Sequence, residues 1–304
     1  MMAPLVSFPD TARIEVSPAI ANQLLDGAES LPRFDNKEFY SPELQLRVRD
    51  QVRQANPDGF DDLVGKIGKS ITRWPFCVLV RGLRFDEGNK VFVAINRAFG
   101  ELVARPFEKP RAQLVHYVQP ATDIASAQGG HESERLHTDT ADWEPPVELI
   151  SMVCVRADHK GGGRSRILDV NTIRDEVQRV LGSTTLQRLE SEPVPWQLAP
   201  YLGGGLKWRP VLTGTSVCWR RYTINLALAS ENVSLSKEML STLDAFEKVI
   251  TATDRTIDFL MRESELLFSD NRRTIHARTP IPDGIASERL MIRSWIRTSS
   301  EVCS

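Results

Sequence analysis

No stretch of this chain approaches the ~20 consecutive apolar residues that a helix needs to span a bilayer, so a helical membrane protein is not expected. Lysines and arginines form no basic run, and the formal charge is −2, which argues against an electrostatic nucleic-acid binder. The N-terminal "MMAPLVSFPDTARIEV" has no basic region followed by a long apolar core, so it does not read as a secretory signal. Cysteine is scarce: Cys77, Cys154, Cys218 and Cys303 lie far apart with no CxxC pair. Three of them sit in apolar runs, as buried thiols do, and neither a disulfide framework nor a zinc ribbon follows. Gly161–Gly163 and Gly203–Gly205 are not followed by Lys-Ser/Thr, and no GxGxxG spacing occurs, so they read as turns and not as phosphate cradles. There is no internal repeat and no low-complexity linker. What remains is a reducing, cytoplasmic setting for a 304-residue chain whose 41% hydrophobic residues suffice for a sizeable core.

The first third reads as helical. "SPAIANQLLDGA" and "SPELQLRVRDQVRQA" open with Ser-Pro, a helix start, and with "GFDDLVGKIGKS" they space apolar residues by three and four. "PFCVLVRGL" (75–83) is apolar and β-branched enough for a buried strand, whereas "NKVFVAINRAFGELVA" returns to helical spacing. Beyond Lys109 the texture changes. "AQLVHYVQP", "VELISMVCVRA", "RSRILDV", "WRPVLTGT", "SVCWRRYTI", "ELLFSD", "TIHART" and "RLMIRSWIR" are short strand candidates, with helical inserts near 170–192 and at "SKEMLSTLDAFEKVI". Many short strands imply a sandwich or barrel. The segment 193–222 is rich in Trp, Pro and Gly, and suits either a lid or a simple cover.

Chemistry enters at "ERLHTDTADWEPP". On a strand, residues two apart share a face, so His137 and Asp139 can hold one ion from one side. Alone, His-x-Asp more often marks a solvated strand end. His276 in "FSDNRRTIHARTP" supplies a third donor, and two histidines with one carboxylate form the open face used by non-heme Fe(II). Zinc hydrolases use similar sets, so the triad by itself does not select the metal. In "ERLMIRSWIR", alternation puts Arg289, Met291, Arg293, Trp295 and Arg297 on one face and Leu290, Ile292 and Ile296 on the other. Both faces are apolar enough to be buried. A buried guanidinium then needs an anion, either an internal carboxylate or a ligand's.

Taken in order, "LVHYVQP…SAQGGHESERLHTD", "VELISMVCVRADHKGGGRS", "WRPVL…RRYTIN", "FSDNRRTIHARTP" and "RLMIRSWIR" resemble the Fe(II)/2-oxoglutarate-dependent oxygenases of the taurine dioxygenase and clavaminate synthase superfamily. The resemblance implies a β-rich α+β fold with a double-stranded β-helix (jelly-roll) core and flanking helices. It also implies one oxygenase domain over 1–304, with 1–110 a mainly helical flank and 111–304 the core with its inserts. By the same likeness His137, Asp139 and His276 are the iron ligands. Arg289, thirteen residues after His276, grips the far carboxylate of 2-oxoglutarate, helped by Ser165. Arg293 falls where relatives hold an anionic group of the substrate. Ser126, Gln128, Trp143 and Arg221 are further candidate substrate contacts. His116, His131 and His159 are assigned to structure or surface, and Asn271 and Arg273 to the turn before His276.

The implied activity is hydroxylation of an unactivated C–H bond in a small polar or amino-acid-derived metabolite, in a biosynthetic pathway. Fe(II), 2-oxoglutarate and O2 are consumed or used, and succinate and CO2 are released. The same site serves desaturation, epoxidation or cyclisation when the substrate sits differently. Because Asp139 fills the carboxylate position, which halogenating relatives replace with a small residue, halogenation is not expected. His-x-Asp matches taurine dioxygenase, while the surrounding segments look more like the other branch, which commonly has His-x-Glu. Thr223 and Asn225 stand where relatives acting on free amino acids carry acidic residues, which argues against a simple basic or zwitterionic substrate. The rivals are a zinc hydrolase on a jelly-roll scaffold, indifferent to Arg289, and a non-catalytic metal-binding protein.

Overall fold

The computed structural model of the chain describes residues 6–35, 37–104, 114–120, 132–230 and 232–298. Two antiparallel sheets lie face to face, each with helices packed on its outer side. The larger is seven-stranded. In order it runs Arg13–Glu15, Cys77–Arg81, Leu266–Asp270, Leu149–Arg156, Leu290–Thr298 and Gly100–Val103, with His116–Val118 also paired to Leu290–Thr298. Only the Arg13–Glu15 edge is parallel to its neighbour. The smaller sheet runs Ile257–Phe259, Ser165–Asp169 and Thr274–Arg278, and a single bridge from His137 to His276 extends it toward the His-x-Asp segment.

The alternation of each strand sorts its side chains between layers. From the larger sheet, Val78, Val80, Val153, Phe268, Ile292 and Ile296 face outward onto the helices Pro18–Glu29, Pro42–Ala55, Pro57–Ile71 and Lys90–Arg97. Their neighbours Cys77, Leu79, Cys154, Leu267 and Met291 face inward and meet Ile167, Ile257 and Phe259 of the smaller sheet. Leu168, Ile275 and Ala277 turn to the far side, against the helices Val170–Leu181, Arg221–Leu228 and Lys237–Ala252. A fully buried leucine such as Leu24 or Leu243 contributes about 2 kcal/mol through its removal from water.

The first two helices start at the Ser-Pro pairs the sequence offers, and the third starts at Pro57, two residues before the expected segment. Ser17, Ser41 and Asn56 cap their first turns by accepting from the amides of Ile20, Leu44 and Gly59, each just before a proline. Two expectations need correction. "NKVFVAINRAFGELVA" is not one helix: the helix ends at Arg97, and Gly100–Val103 pairs with Trp295–Thr298. Gly100 permits that pairing, because a Cβ there would lie 1.9 Å from the Arg297 carbonyl oxygen. "SVCWRRYTI" is not one strand either. Only Ser216–Val217 is extended in a sheet, and Arg221–Leu228 is helical with Thr223, Ile224 and Ala227 buried. Their spacing of three to four defines a helical face, which outweighs the β-branched content. The short strands Arg13–Glu15, Val194–Gln197 and Ile257–Phe259 went unread. Within 193–222, Val194–Gln197 and Leu206–Arg209 form a hairpin whose Ala199 amide bonds the Asp142 carbonyl at 2.9 Å. That bond fastens the hairpin to the chain just after the His-x-Asp segment. Among the described residues, no helix is long and apolar enough to cross a membrane.

Candidate metal centre

His137 and His276 form a hydrogen-bonded antiparallel pair: each amide donates to the other's carbonyl at 2.9 Å. Directly opposed residues on adjacent strands bring their side chains together, and the two imidazole centroids lie 4.5 Å apart. His276 shares its face with Ile167, its register partner, and so points between the sheets. Asp139 follows on the same segment. One ligand atom from each of His137, Asp139 and His276 lies within 4.8 Å of the others, so the sequence triad is a spatial cluster.

Asp139 is held from every side. Its amide donates to Asn271 Oδ1 at 3.0 Å, and Asn271 Nδ2 donates to the carbonyls of Asp139 (3.0 Å) and Val147 (2.9 Å). Asn271 is completely buried. Beyond shaping the turn before His276, it therefore locks the His-x-Asp segment to that turn. The carboxylate is divided in use. Oδ2 accepts from Trp295 Nε1 at 2.8 Å and Arg293 Nη1 at 3.0 Å. Oδ1 takes only the longer arm of the same Arg293 Nη1, at 3.3 Å, and faces the two histidine Nε2 atoms at 3.6 and 3.9 Å. Oδ2 thus takes the two shorter donors, and Oδ1 is presented beside two imidazole nitrogens.

Burial opposes the charge of Asp139, but Arg293 first, and then its two histidine neighbours, hold its pKa well below the ordinary carboxylate value. His276 is pushed down to about 3 by burial first, with the charges of His137, Arg293 and Arg220 adding to it against Asp139. A neutral imidazole has a lone pair to give. His137 Nδ1 lies 2.7 Å from the Arg135 carbonyl. A carbonyl only accepts, so Nδ1 carries the proton and Nε2 is left as the donor to a metal. His276 Nδ1 is buried without a hydrogen-bond partner. Two imidazole nitrogens and one carboxylate oxygen fit a divalent transition metal with open positions.

The remaining sequence candidates divide. Arg289 is buried, and its Nη2 donates to the Gly163 carbonyl at 3.2 Å. Gly163, at φ +64°, lets the backbone approach that closely, since a Cβ there would stand 2.5 Å from Arg289 Nε. A register shift between Leu290 and Met291 separates Arg289 from the regular alternation of the strand. Ser165 is buried two residues after Gly163, where the smaller sheet's middle strand begins. Arg293 meets an internal carboxylate, Asp139. Trp143 donates to Tyr201 Oη at 2.9 Å and packs edge-on against Trp295. Arg221 bonds Asn225 (3.0 Å) and Asp244 (2.6 Å) on its own helix and the next. Ser126, Gln128 and His131 lie outside the described residues. Of the other histidines, His116 packs edge-on against Trp295 and His159 pairs with Asp283 at the surface. Trp295 as a carboxylate donor was missed, although its place on the Arg293 face was readable. Arg220 beside His276 was missed too, its only signal being a doubled arginine.

Residues 215–295 match the family described as "Taurine catabolism dioxygenase TauD, TfdA family", a stretch containing His276, Arg289, Arg293 and Trp295. Over that stretch the chain is similar to the TauD/TfdA oxygenases. Its fold is similar to those of solved oxygenases. An asparagine oxygenase solved with Fe(II), 2S,3S-3-hydroxyasparagine and succinate superposes with TM-score 0.72 at 20% identity, over 94% of each chain. The non-heme iron oxygenase OrfP, solved with Fe and alpha-ketoglutaric acid, gives TM-score 0.68 at 16% identity over 97% of this chain and 95% of that one. A structure from Burkholderia xenovorans assigned as an alpha-ketoglutarate-dependent taurine dioxygenase gives 0.57 at 16%, over 78% and 84%. No curated protein matches the sequence significantly. Unlike His276, His137 and Asp139 lie N-terminal to the matched stretch, and their place beside His276 is set by the fold.

Proposed function

We propose that this chain is an Fe(II)/2-oxoglutarate-dependent dioxygenase that hydroxylates an unactivated C–H bond of a small polar, amino-acid-derived molecule. The observation that carries the reading is the Asp139 carboxylate, with Oδ2 tied to Trp295 and Arg293 and Oδ1 set beside two imidazole nitrogens. His137, Asp139 and His276 hold the metal. When bound, Fe(II), 2-oxoglutarate and O2 supply the oxidising chemistry, which releases succinate and CO2. The chain's own task is positioning and exclusion of water.

Arg289 grips the far carboxylate of 2-oxoglutarate. Its guanidinium is buried and steadied by the Gly163 carbonyl, and Ser165 stands close by in sequence. Arg293 and Trp143 face the substrate side, Arg293 through a buried Nε that makes no hydrogen bond. We read the two opposed sheets as the double-stranded β-helix of this superfamily, residues 1–304 as one domain, and the enzyme as a cytoplasmic one acting on a diffusible metabolite. The structures of asparagine oxygenase and OrfP, solved with hydroxylated amino acids, support hydroxylation over desaturation, epoxidation or cyclisation.

The test is anaerobic titration of metal-free protein with Fe(II) and then 2-oxoglutarate, followed by the visible charge-transfer band. The band should require both additions and vanish in His137→Ala. Losing one partner of a buried charge pair costs about 2–5 kcal/mol, so Arg289→Ala should raise the 2-oxoglutarate requirement roughly 30-fold or more. Bound metal without any band would refute the oxygenase reading and favour zinc hydrolysis.

A further inference from the structure

Asp158 is a buried carboxylate outside the metal cluster, in the loop between Leu149–Arg156 and Ser165–Asp169. Its carboxylate joins that loop to a second one. Oδ2 accepts from the amides of Gly162 at 2.8 Å and Lys160 at 3.2 Å, and the Asp158 carbonyl accepts from the Gly161 amide at 3.0 Å. Oδ1 accepts from Ser287 Oγ at 2.6 Å, in the segment between Thr274–Arg278 and Leu290–Thr298. The Ser287 hydroxyl first, then the Gly162 and Lys160 amides and the charge of His159, hold the Asp158 carboxyl below its ordinary value against burial.

Both loops end on the same side chain. Arg289 lies just before Leu290–Thr298, whose pairing begins at Leu290 and slips between Leu290 and Met291. The regular ladder therefore does not set its backbone. The Ser287 hydroxyl does, accepting from the Arg289 amide at 3.2 Å. A hydroxyl that donates to Asp158 keeps its lone pairs for that amide. From the other loop, the Gly163 carbonyl accepts from Arg289 Nη2 at 3.2 Å. One residue earlier the two loops are in close contact: a Cβ on Gly162 would stand 2.3 Å from Pro282 Cδ and 3.0 Å from the Pro280 carbonyl oxygen. Oδ2 fixes Gly162 and Oδ1 fixes Ser287, so one carboxylate sets both the backbone and the guanidinium of Arg289. A second tie between the same loops, from Asp283 to Lys160 (2.5 Å) and His159 (3.5 Å), is made by exposed side chains of Lys160 and His159.

We propose that Asp158 and Ser287 are positioning residues that aim the Arg289 guanidinium, so that the grip on the distal carboxylate of the cosubstrate depends on a carboxylate–hydroxyl pair that never meets it. The inference rests on the oxygenase reading and deepens it by naming what aims the arginine. Each residue acts through Arg289 and takes no part in holding the metal.

The experiment uses full-length protein loaded anaerobically with Fe(II). The visible band and calorimetry report the binding of 2-oxoglutarate and of 2-oxovalerate, which has the same chelating end and chain length but no distal carboxylate. Wild type should bind 2-oxoglutarate roughly 30-fold or more tightly than 2-oxovalerate. Ser287→Ala removes the hydroxyl link, and Asp158→Asn offers one accepting oxygen where the carboxylate offers two, so it can serve only one loop. Each should bind 2-oxoglutarate roughly tenfold less tightly, with 2-oxovalerate and Fe(II) binding unchanged. The double variant should be no weaker than either single one, because both cut the same link. Ser287→Thr should recover what Ser287→Ala loses, and Lys160→Ala, which loosens only the surface tie, should match wild type. Undiminished 2-oxoglutarate binding in Ser287→Ala, or equal weakening of the two acids, overturns the proposal, the latter by showing a general structural role. A wild type that gives no band, or that does not tell the two acids apart, refutes the oxygenase reading and this inference with it, before any variant is made.

Discussion

Trp295→Phe separates a bond that aims a metal ligand from one that merely stabilises a fold. Trp295 is 2% exposed, and its ring meets Trp143 at 5.7 Å and His116 at 4.3 Å. Phenylalanine keeps an aromatic ring in that slot but has no N–H for Asp139 Oδ2. A hydrogen bond to a charged acceptor is worth about 1.5–3 kcal/mol, and the metal-free protein should lose about that much unfolding free energy. Affinity is a separate quantity, because the bond exists with or without metal and its own energy cancels between those states. What does not cancel is aim. With the carboxylate held by the single Arg293 Nη1, it gains freedom to rotate, and Oδ1 is less firmly fixed toward the two Nε2 atoms. Loss of such outer partners typically weakens metal binding by about 10–100-fold. Anaerobic titration with Fe(II), and with Co(II) as a spectroscopic substitute, measures it. Trp143→Phe is the control, since it removes an equal indole and the bond to Tyr201 without touching Asp139, and should leave affinity unchanged. A Trp295→Phe protein that binds metal within about twofold of wild type, yet unfolds more easily, would refute the aiming argument.

Asn271→Ala should be among the most destabilising single changes near the site. It strips partners from the Asp139 amide and from the Asp139 and Val147 carbonyls, buried groups that cost about 1–3 kcal/mol each when unmet. Partial relaxation leaves about 3–5 kcal/mol, readable by urea unfolding of the metal-free protein. A loss under about 1 kcal/mol would mean that the His-x-Asp segment is anchored elsewhere. Gly163→Ala places a Cβ 2.5 Å from Arg289 Nε on a backbone at φ +64°. It should raise the 2-oxoglutarate needed for the band by roughly tenfold through a displaced guanidinium, with Fe(II) affinity unchanged. Equal weakening of both would show a general collapse of the site.

The triad was legible because each part has a local signal: a two-residue spacing for His137 and Asp139, and a polar turn before a short strand for His276. The helices with Ser-Pro starts were legible for the same reason. Trp295 was not, since its meaning lies in what faces it across the sheets. Trp295 meets a carboxylate 156 residues away. Alternation placed Arg293 and Trp295 correctly on one face but could not say that both converge on the carboxylate of Asp139. Gly100–Val103 looked helical because its pattern continues that of the preceding helix, and only pairing with Trp295–Thr298 makes it a strand. Arg221–Leu228 looked extended because Thr and Ile favour strands, whereas tertiary burial of Ile224 and Ala227 chose the helix.

The site occupies a joint between the sheets, and that explains how a loop-borne carboxylate can be positioned well enough to serve a metal. His276 comes from the smaller sheet, Arg293 and Trp295 from the larger, and Asp139 is the residue both reach. The outer face of each sheet is packed against its own set of helices, so neither sheet can shift without opening a core at close-packed density. The spacing between His276 and the Arg293–Trp295 pair is therefore inherited from two hydrophobic clusters on the outer faces of the sheets. Asp139 then needs only short tethers: Asn271 for its backbone and two donors for its outer oxygen. On this account, core substitutions that loosen one helical layer, such as Phe246→Leu behind Trp219, should weaken metal binding as well as stability, although the side chain lies behind the sheet. The link runs through Trp219, whose backbone holds Thr138 between the ligands. Metal affinity that stays constant while stability falls in such variants would show that the tethers alone set the geometry, and that the joint adds nothing.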